Sequence, residues 1–88
     1  MAGSAAPRPR VEVRVELKPE VQDAEAESVA RSLGQLGLGN LRGVRIARLF
    51  ELEFEGISPE VALRRAQEAV DRLLANPVVH RVAIRPLP

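Results

Sequence analysis

Side-chain catalysis needs a nucleophile or an acid–base group held beside a partner that tunes it, and the residues here that qualify by type are scattered. Ser4 and Ser28 have no local partner, Ser32 falls within an amphipathic stretch, and Ser58 precedes Pro59-Glu60, where it reads as a helix cap. His80, the single histidine, could serve as a general base, but it stands next to a strand start with no companion carboxylate motif. Alone, and in a chain without cysteine, it cannot build a zinc site. Glu51, Glu53 and Glu55 occupy consecutive outward positions of one alternating run, which is the pattern of a solvated strand face. No Asp-x-Asp-x-Asp-Gly loop for a divalent ion is present. Gly34, Gly37 and Gly39 follow a helical stretch, whereas a phosphate-binding glycine loop precedes one. They read as helix terminators. The residues thus point to an interaction module and to no self-sufficient active site.

The elements that position these groups follow from hydrophobic period. Val11, Val13, Val15 and Leu17 alternate with Arg10, Glu12, Arg14 and Glu16, which predicts a half-buried strand ended by Lys18-Pro19. Ala26, Val29, Ala30, Leu33 and Leu36 carry the spacing of an amphipathic helix. Asp23 is its expected N-cap, Glu25 and Glu27 favour its positive end, and Gly37 and Gly39 are expected to supply positive φ at its close. Val44 and Ile46 begin a second expected strand, and Phe50, Leu52 and Phe54 mark a third. Twelve residues are long for one strand, so Ala47-Arg48-Leu49 is expected to turn or kink, a hairpin being favoured. Ser58 is the expected N-cap of a second helix with Pro59 at its first position. Its core stripe is read as Ala62, Leu63, Ala66, Ala69, Val70, Leu73 and Leu74. Asn76, able to take a left-handed cap, and Pro77 stop it, and a last strand runs from Val78 to Arg85.

This order, β-α-β-β-α-β, predicts an α+β ferredoxin-like sandwich: a four-stranded antiparallel sheet, ordered 4-1-3-2, with two helices on one face. The other face then sets Arg81 and Arg85 beside Glu12 and Glu16, and Arg10 and Arg14 beside Glu51, Glu53 and Glu55. That face is either solvated or meets another subunit. Residues 1–9, small side chains and prolines, are expected to be a disordered tail, leaving 10–88 as a single domain.

Composition narrows the function classes. The formal charge is +1, so nothing draws the chain electrostatically to nucleic acid or an anionic membrane. RNA readout on such a sheet uses exposed aromatics, yet Phe50 and Phe54 fall on the apolar side and tyrosine and tryptophan are absent. No apolar run approaches the length that crosses a bilayer, and the first ten residues lack the apolar core of a secretory signal, so a cytoplasmic protein is expected. Eighty-eight residues bury a thin core, and with no cysteine and one histidine the remaining stabilising device is self-association.

Three strings carry a resemblance: Val13-Arg14-Val15-Glu16-Leu17-Lys18 followed by Asp23; Leu33-Gly34 through Val44-Arg45-Ile46-Ala47-Arg48; and Leu73-Leu74-Ala75-Asn76-Pro77-Val78-Val79. In order and spacing the chain resembles the PurS family, small subunits of phosphoribosylformylglycinamidine (FGAM) synthase. Ala24 and Ala26 stand where that family has proline and glycine, Ala47-Arg48 where it has Gly-Lys, and His80 where an acid is common.

The resemblance implies a subunit with no catalytic site, cofactor or metal of its own. It would bridge a PurL-type synthetase, which holds ATP and magnesium, and a PurQ-type glutaminase, and would assist ammonia transfer. It also implies a homodimer or a dimer of dimers, with Lys18 and Arg48 as partner-facing charges, while Asp23, Ser58 and Asn76 are structural caps by the reading of the residues themselves. The competing readings are an ACT-like small-ligand module and an RNA-binding domain.

Overall fold

In the computed structural model, which describes residues 6–88, the alternating run becomes the central strand β1, Arg10–Leu17. Val11, Val13 and Val15 are essentially removed from solvent, because the strand is flanked on both edges and covered on one face. The helix α1 spans Ala24–Gln35, β2 spans Ala47–Glu53, α2 spans Pro59–Ala69 and β3 spans His80–Leu87. All pairing is antiparallel, in the order β2-β1-β3. Val13 faces Phe50 on one side and Ile84 on the other, so one sheet face is continuously apolar. Ala62, Ala66 and Val70 of α2 and its continuation close onto it, with Leu63, Leu74 and Val82 at the margin. Small residues on the helix let it approach the β-branched row of β1 closely.

The sheet has three strands, not the expected four. Residues 44–46 are not in a strand, and Ala47-Arg48-Leu49 is neither a turn nor a kink. Ala47 pairs with Glu16 and Arg48 with Val15, so those residues are consumed by the ladder with β1. A tight hairpin there needs positive φ, and none of the three residues supplies it at low cost.

The expected tail is also corrected. Residues 1–5 lie outside the described residues, but the Pro7 and Pro9 carbonyls accept from the amides of Gly56 and Phe54 at 2.9 and 3.0 Å. Proline cannot donate to a ladder but its carbonyl accepts, so this edge continues the β1–β2 pairing.

The second helix does not run on regularly to Leu74. Residues Val70–Leu74 form a wider π-type turn, closed by the Ala75 amide on the Val70 carbonyl at 3.3 Å. Core contacts at 62, 66, 70 and 74 are spaced by four, and the wide turn keeps that last step facing the sheet. Leu73, expected in the core, is therefore turned out and 83% exposed.

The shape is long. The radius of gyration is 17.7 Å, with extents of 57 × 30 × 15 Å; a compact domain of this length has about 12 Å. The helix α1 and residues 36–46 form an arm beyond the end of the sheet, and α1 buries Ala26 alone.

Candidate partner-binding surface

The candidate residues gather at the waist, where the arm leaves the sheet. The Lys18 carbonyl accepts from Val21 at 2.9 Å, a β-turn with Pro19 at its second position, and its amide donates to Val79. This turn redirects the chain to Asp23, whose extended backbone and Oδ1, accepting from the Ala26 amide at 3.0 Å, start α1. Arg48 enters from β2 opposite Val15, exposed, and forms no ion pair among the described residues. Two shallow clefts share this ground. One is lined by Lys18, Asp23, Val44 and Ile46, the other by Asp23, Glu25, Arg48 and His80. Lys18, Asp23 and Arg48 are therefore brought together, although 30 residues of sequence separate the first from the last.

Ser58 and Asn76 lie elsewhere. Ser58 Oγ accepts from the Val61 amide at 3.1 Å at the start of α2. Asn76 is not a left-handed cap, since no described non-glycine residue has positive φ. Instead its Oδ1 accepts from Val78 at 2.9 Å and its carbonyl from His80 at 2.8 Å, a side-chain-closed turn. His80 Nδ1 accepts from the Asn76 amide at 2.8 Å, so that nitrogen carries no proton in this arrangement. Gly37 takes φ +102°, and the Leu38 and Gly37 amides bond back to Leu33 and Gly34 in a Schellman close. Gly39 does not share the positive φ expected of it.

The charged sheet face is self-paired. Arg85 makes two bonds to Glu12, at 2.8 and 3.0 Å; Arg81 approaches Glu16 at 3.5 Å; and Arg10 meets Glu51 at 2.7 Å. The Glu12 carboxyl is held below its ordinary range, chiefly by those Arg85 hydrogen bonds. Desolvation opposes this, and the nearby charges of Arg85 and Arg14 add to it. Arg85 is correspondingly raised by the same hydrogen bonds.

Two apolar features escaped the sequence reading. Leu49, 61% exposed, interrupts the charged face opposite Arg14; period two would have placed it beside Glu51 had the turn not been expected there. Leu73 and Val78, at 83% and 75% exposed, form a bare edge past α2 that no sequence period signals. Beside this edge a trough of about 590 Å³ runs between Val70 and the β3 residues Val82 and Ile84; on its rim Gln67 Nε2 donates to Asp71 Oδ1 at 2.9 Å. Among the described residues, no group of three or more His, Asp or Glu could hold a metal, and no helix is long and apolar enough to cross a membrane.

A three-stranded α+β unit with a projecting arm and charges gathered at its waist is a small assembly module, built to present surfaces. The comparisons make this specific. The family model PurS, phosphoribosylformylglycinamidine (FGAM) synthase, matches residues 10–87. The phosphoribosylformylglycinamidine synthase subunit PurS of Archaeoglobus fulgidus is 36% identical over 73 residues, 83% of this chain and 91% of that protein. The crystal structure of the purS subunit of Thermotoga maritima superposes with a TM-score of 0.85 at 27% identity, covering 99% of this chain and 100% of that one. A chain in the structure of PurLQS from Thermotoga maritima gives a TM-score of 0.83 at 29% identity, covering 92% and 99%. The chain belongs to the PurS family, and is a subunit of FGAM synthase in purine biosynthesis.

Proposed function

We propose that this chain bridges a PurL-type synthetase and a PurQ-type glutaminase in the cytoplasm and promotes ammonia transfer between them. The reaction turns formylglycinamide ribonucleotide, glutamine, water and ATP into formylglycinamidine ribonucleotide, glutamate, ADP and phosphate. ATP and magnesium belong to the synthetase, and this chain contributes contact surface as a homo-oligomer. The observation that carries the reading is the likeness to a chain of the PurLQS structure over nearly the whole length of both. The exposed arm and the exposed Arg48, which has no ion pair among the described residues, suit a part that works by contact. Lys18 and Arg48 are its partner-facing charges. An ACT-like ligand module is not favoured by family membership.

The test is reconstitution with purified synthetase and glutaminase, following amidine formation from glutamine and, separately, from added ammonia. Glutamine-dependent turnover should require this chain, while ammonia-dependent turnover should not. Lys18→Glu with Arg48→Glu should lower the first about tenfold, the effect of roughly 1.4 kcal/mol at the contact. Glutamine-dependent activity unchanged by omission of the chain would sink the bridging role.

A further inference from the structure

His80 stands between two of the cavities. It lines the trough beside α2, with Asp71 and Val82, and also the waist cleft, with Asp23, Glu25 and Arg48. No other described residue borders both. The half-buried ring is pinned there by one contact, Nδ1 accepting from the Asn76 backbone amide at 2.8 Å. A backbone amide can only donate, so the ring nitrogen facing it must be the one without a proton. The Ala75 amide closes the wide turn on Val70, and the Asn76 amide, next in line, bonds to the ring. That bond ties the end of the turn to the head of β3.

Protonation breaks this contact. Histidine changes charge between about pH 5 and 8, and a proton on Nδ1 sets a donor against a donor. The groups around the ring then offer it another place. From β1 there is Glu16, already held by Arg14 and Arg81; from the continuation of α2 there is Asp71, held by Gln67. From the start of α1 come Asp23, whose Oδ1 caps Ala26, and Glu25. Glu25 has no ion pair or side-chain hydrogen bond among the described residues. Arg48 of β2 is the opposing cation, and Lys18 meets the head of β3 through its backbone amide on Val79. Carboxylates thus outnumber cations around the ring and favour its charged form. Glu25 is the one free to take it.

We propose that His80 is a proton-operated latch. Neutral, it holds the Asn76 amide; charged, it leaves that amide and pairs with Glu25, tying the first turn of α1 to the sheet. One proton is exchanged with solvent, and it resides on Nδ1 while Nε2 stays protonated in both states. The latch sets how firmly the arm is held at the waist, beside Lys18 and Arg48, according to pH. It is a property of the chain itself, so it stands or falls independently of the bridging role.

The experiment follows the full, isotope-labelled chain by NMR in whatever oligomer it forms. A coupling through the hydrogen bond, between the Asn76 nitrogen and His80 Nδ1, should be present at about pH 8 and vanish at about pH 5. Over the same range the protection of the Asn76 amide, corrected for its intrinsic exchange rate, should fall about fivefold, the loss of one hydrogen bond. His80→Asn places an oxygen where Nδ1 was and does not titrate, so it should hold that protection constant. The Glu25 carboxylate carbon should shift with the titration of His80, and Glu25→Gln should move the midpoint of that titration to lower pH. A coupling absent at the upper pH, or a loss of protection equal in His80→Asn, would overturn the latch. A midpoint untouched by Glu25→Gln would overturn the tie to the arm. Should His80→Asn fail to fold, the wild-type coupling at the two pH values decides alone.

Discussion

The widened turn after α2 makes Val70 and Leu73 a discriminating pair. Val70 is 6% exposed within the core cluster, whereas Leu73 is 83% exposed. Val70→Ala removes two buried carbons, worth about 1.6 kcal/mol by transfer and about 2–3 kcal/mol once the residual cavity is included. Leu73→Ala removes more carbon but from water, and should cost within about 0.5 kcal/mol. A regular helix would reverse the order, because Leu73 then sits one turn beyond Val70 and its truncation would cost about 2–5 kcal/mol. Equilibrium unfolding in urea, at several protein concentrations, reads the two variants. A Leu73→Ala loss as large as that of Val70→Ala at every concentration would refute the widened turn. A Leu73 loss that grows only with concentration would instead place this edge inside an oligomer contact.

Two other outcomes follow from local geometry. Gly37→Ala meets no atom within 4 Å but must hold φ at +102°, so the strain alone, about 1–2 kcal/mol, should speed exchange of the last amides of α1 by roughly tenfold or more, while Gly39→Ala should not. For Glu12, the folded carboxyl titrates below its unfolded value, so its contribution is present above the unfolded pKa and is lost as pH falls through the depressed folded one. Glu12→Gln should therefore flatten part of the acid limb of a stability-versus-pH curve, and added salt should shrink the difference, since the Arg85 partner is largely exposed. An acid limb identical in wild type and variant would show that the pair contributes nothing.

Much of the chain is legible because its signals are local. The alternation of Val11, Val13 and Val15 against charged neighbours can be satisfied in one way, with one face in a core and the other in water. Asp23 and Ser58 lie at helix starts because a short side-chain oxygen can reach an amide three residues on, a contact that needs no distant partner. The relative order of the strands matched the expected one with the second strand removed, since the right-handed crossover leaves few alternatives.

What sequence did not decide involves competition between distant segments. Residues 47–49 could turn or pair, and β1 claimed them. Asn76 could take a left-handed cap, but the backbone of Val78, Val79 and His80 closed a turn on it instead. The stripe of α1 was readable, but not the absence of a seat for it, because amphipathicity states that a face must be covered and not by which surface. By itself the sequence determined β1 and its core face, the starts of the two helices and the family, all written in neighbouring residues. Only the tertiary structure decided the three-strand sheet, the outward Leu73 and the projecting arm, because each depends on which remote partner reaches a backbone or an apolar face first.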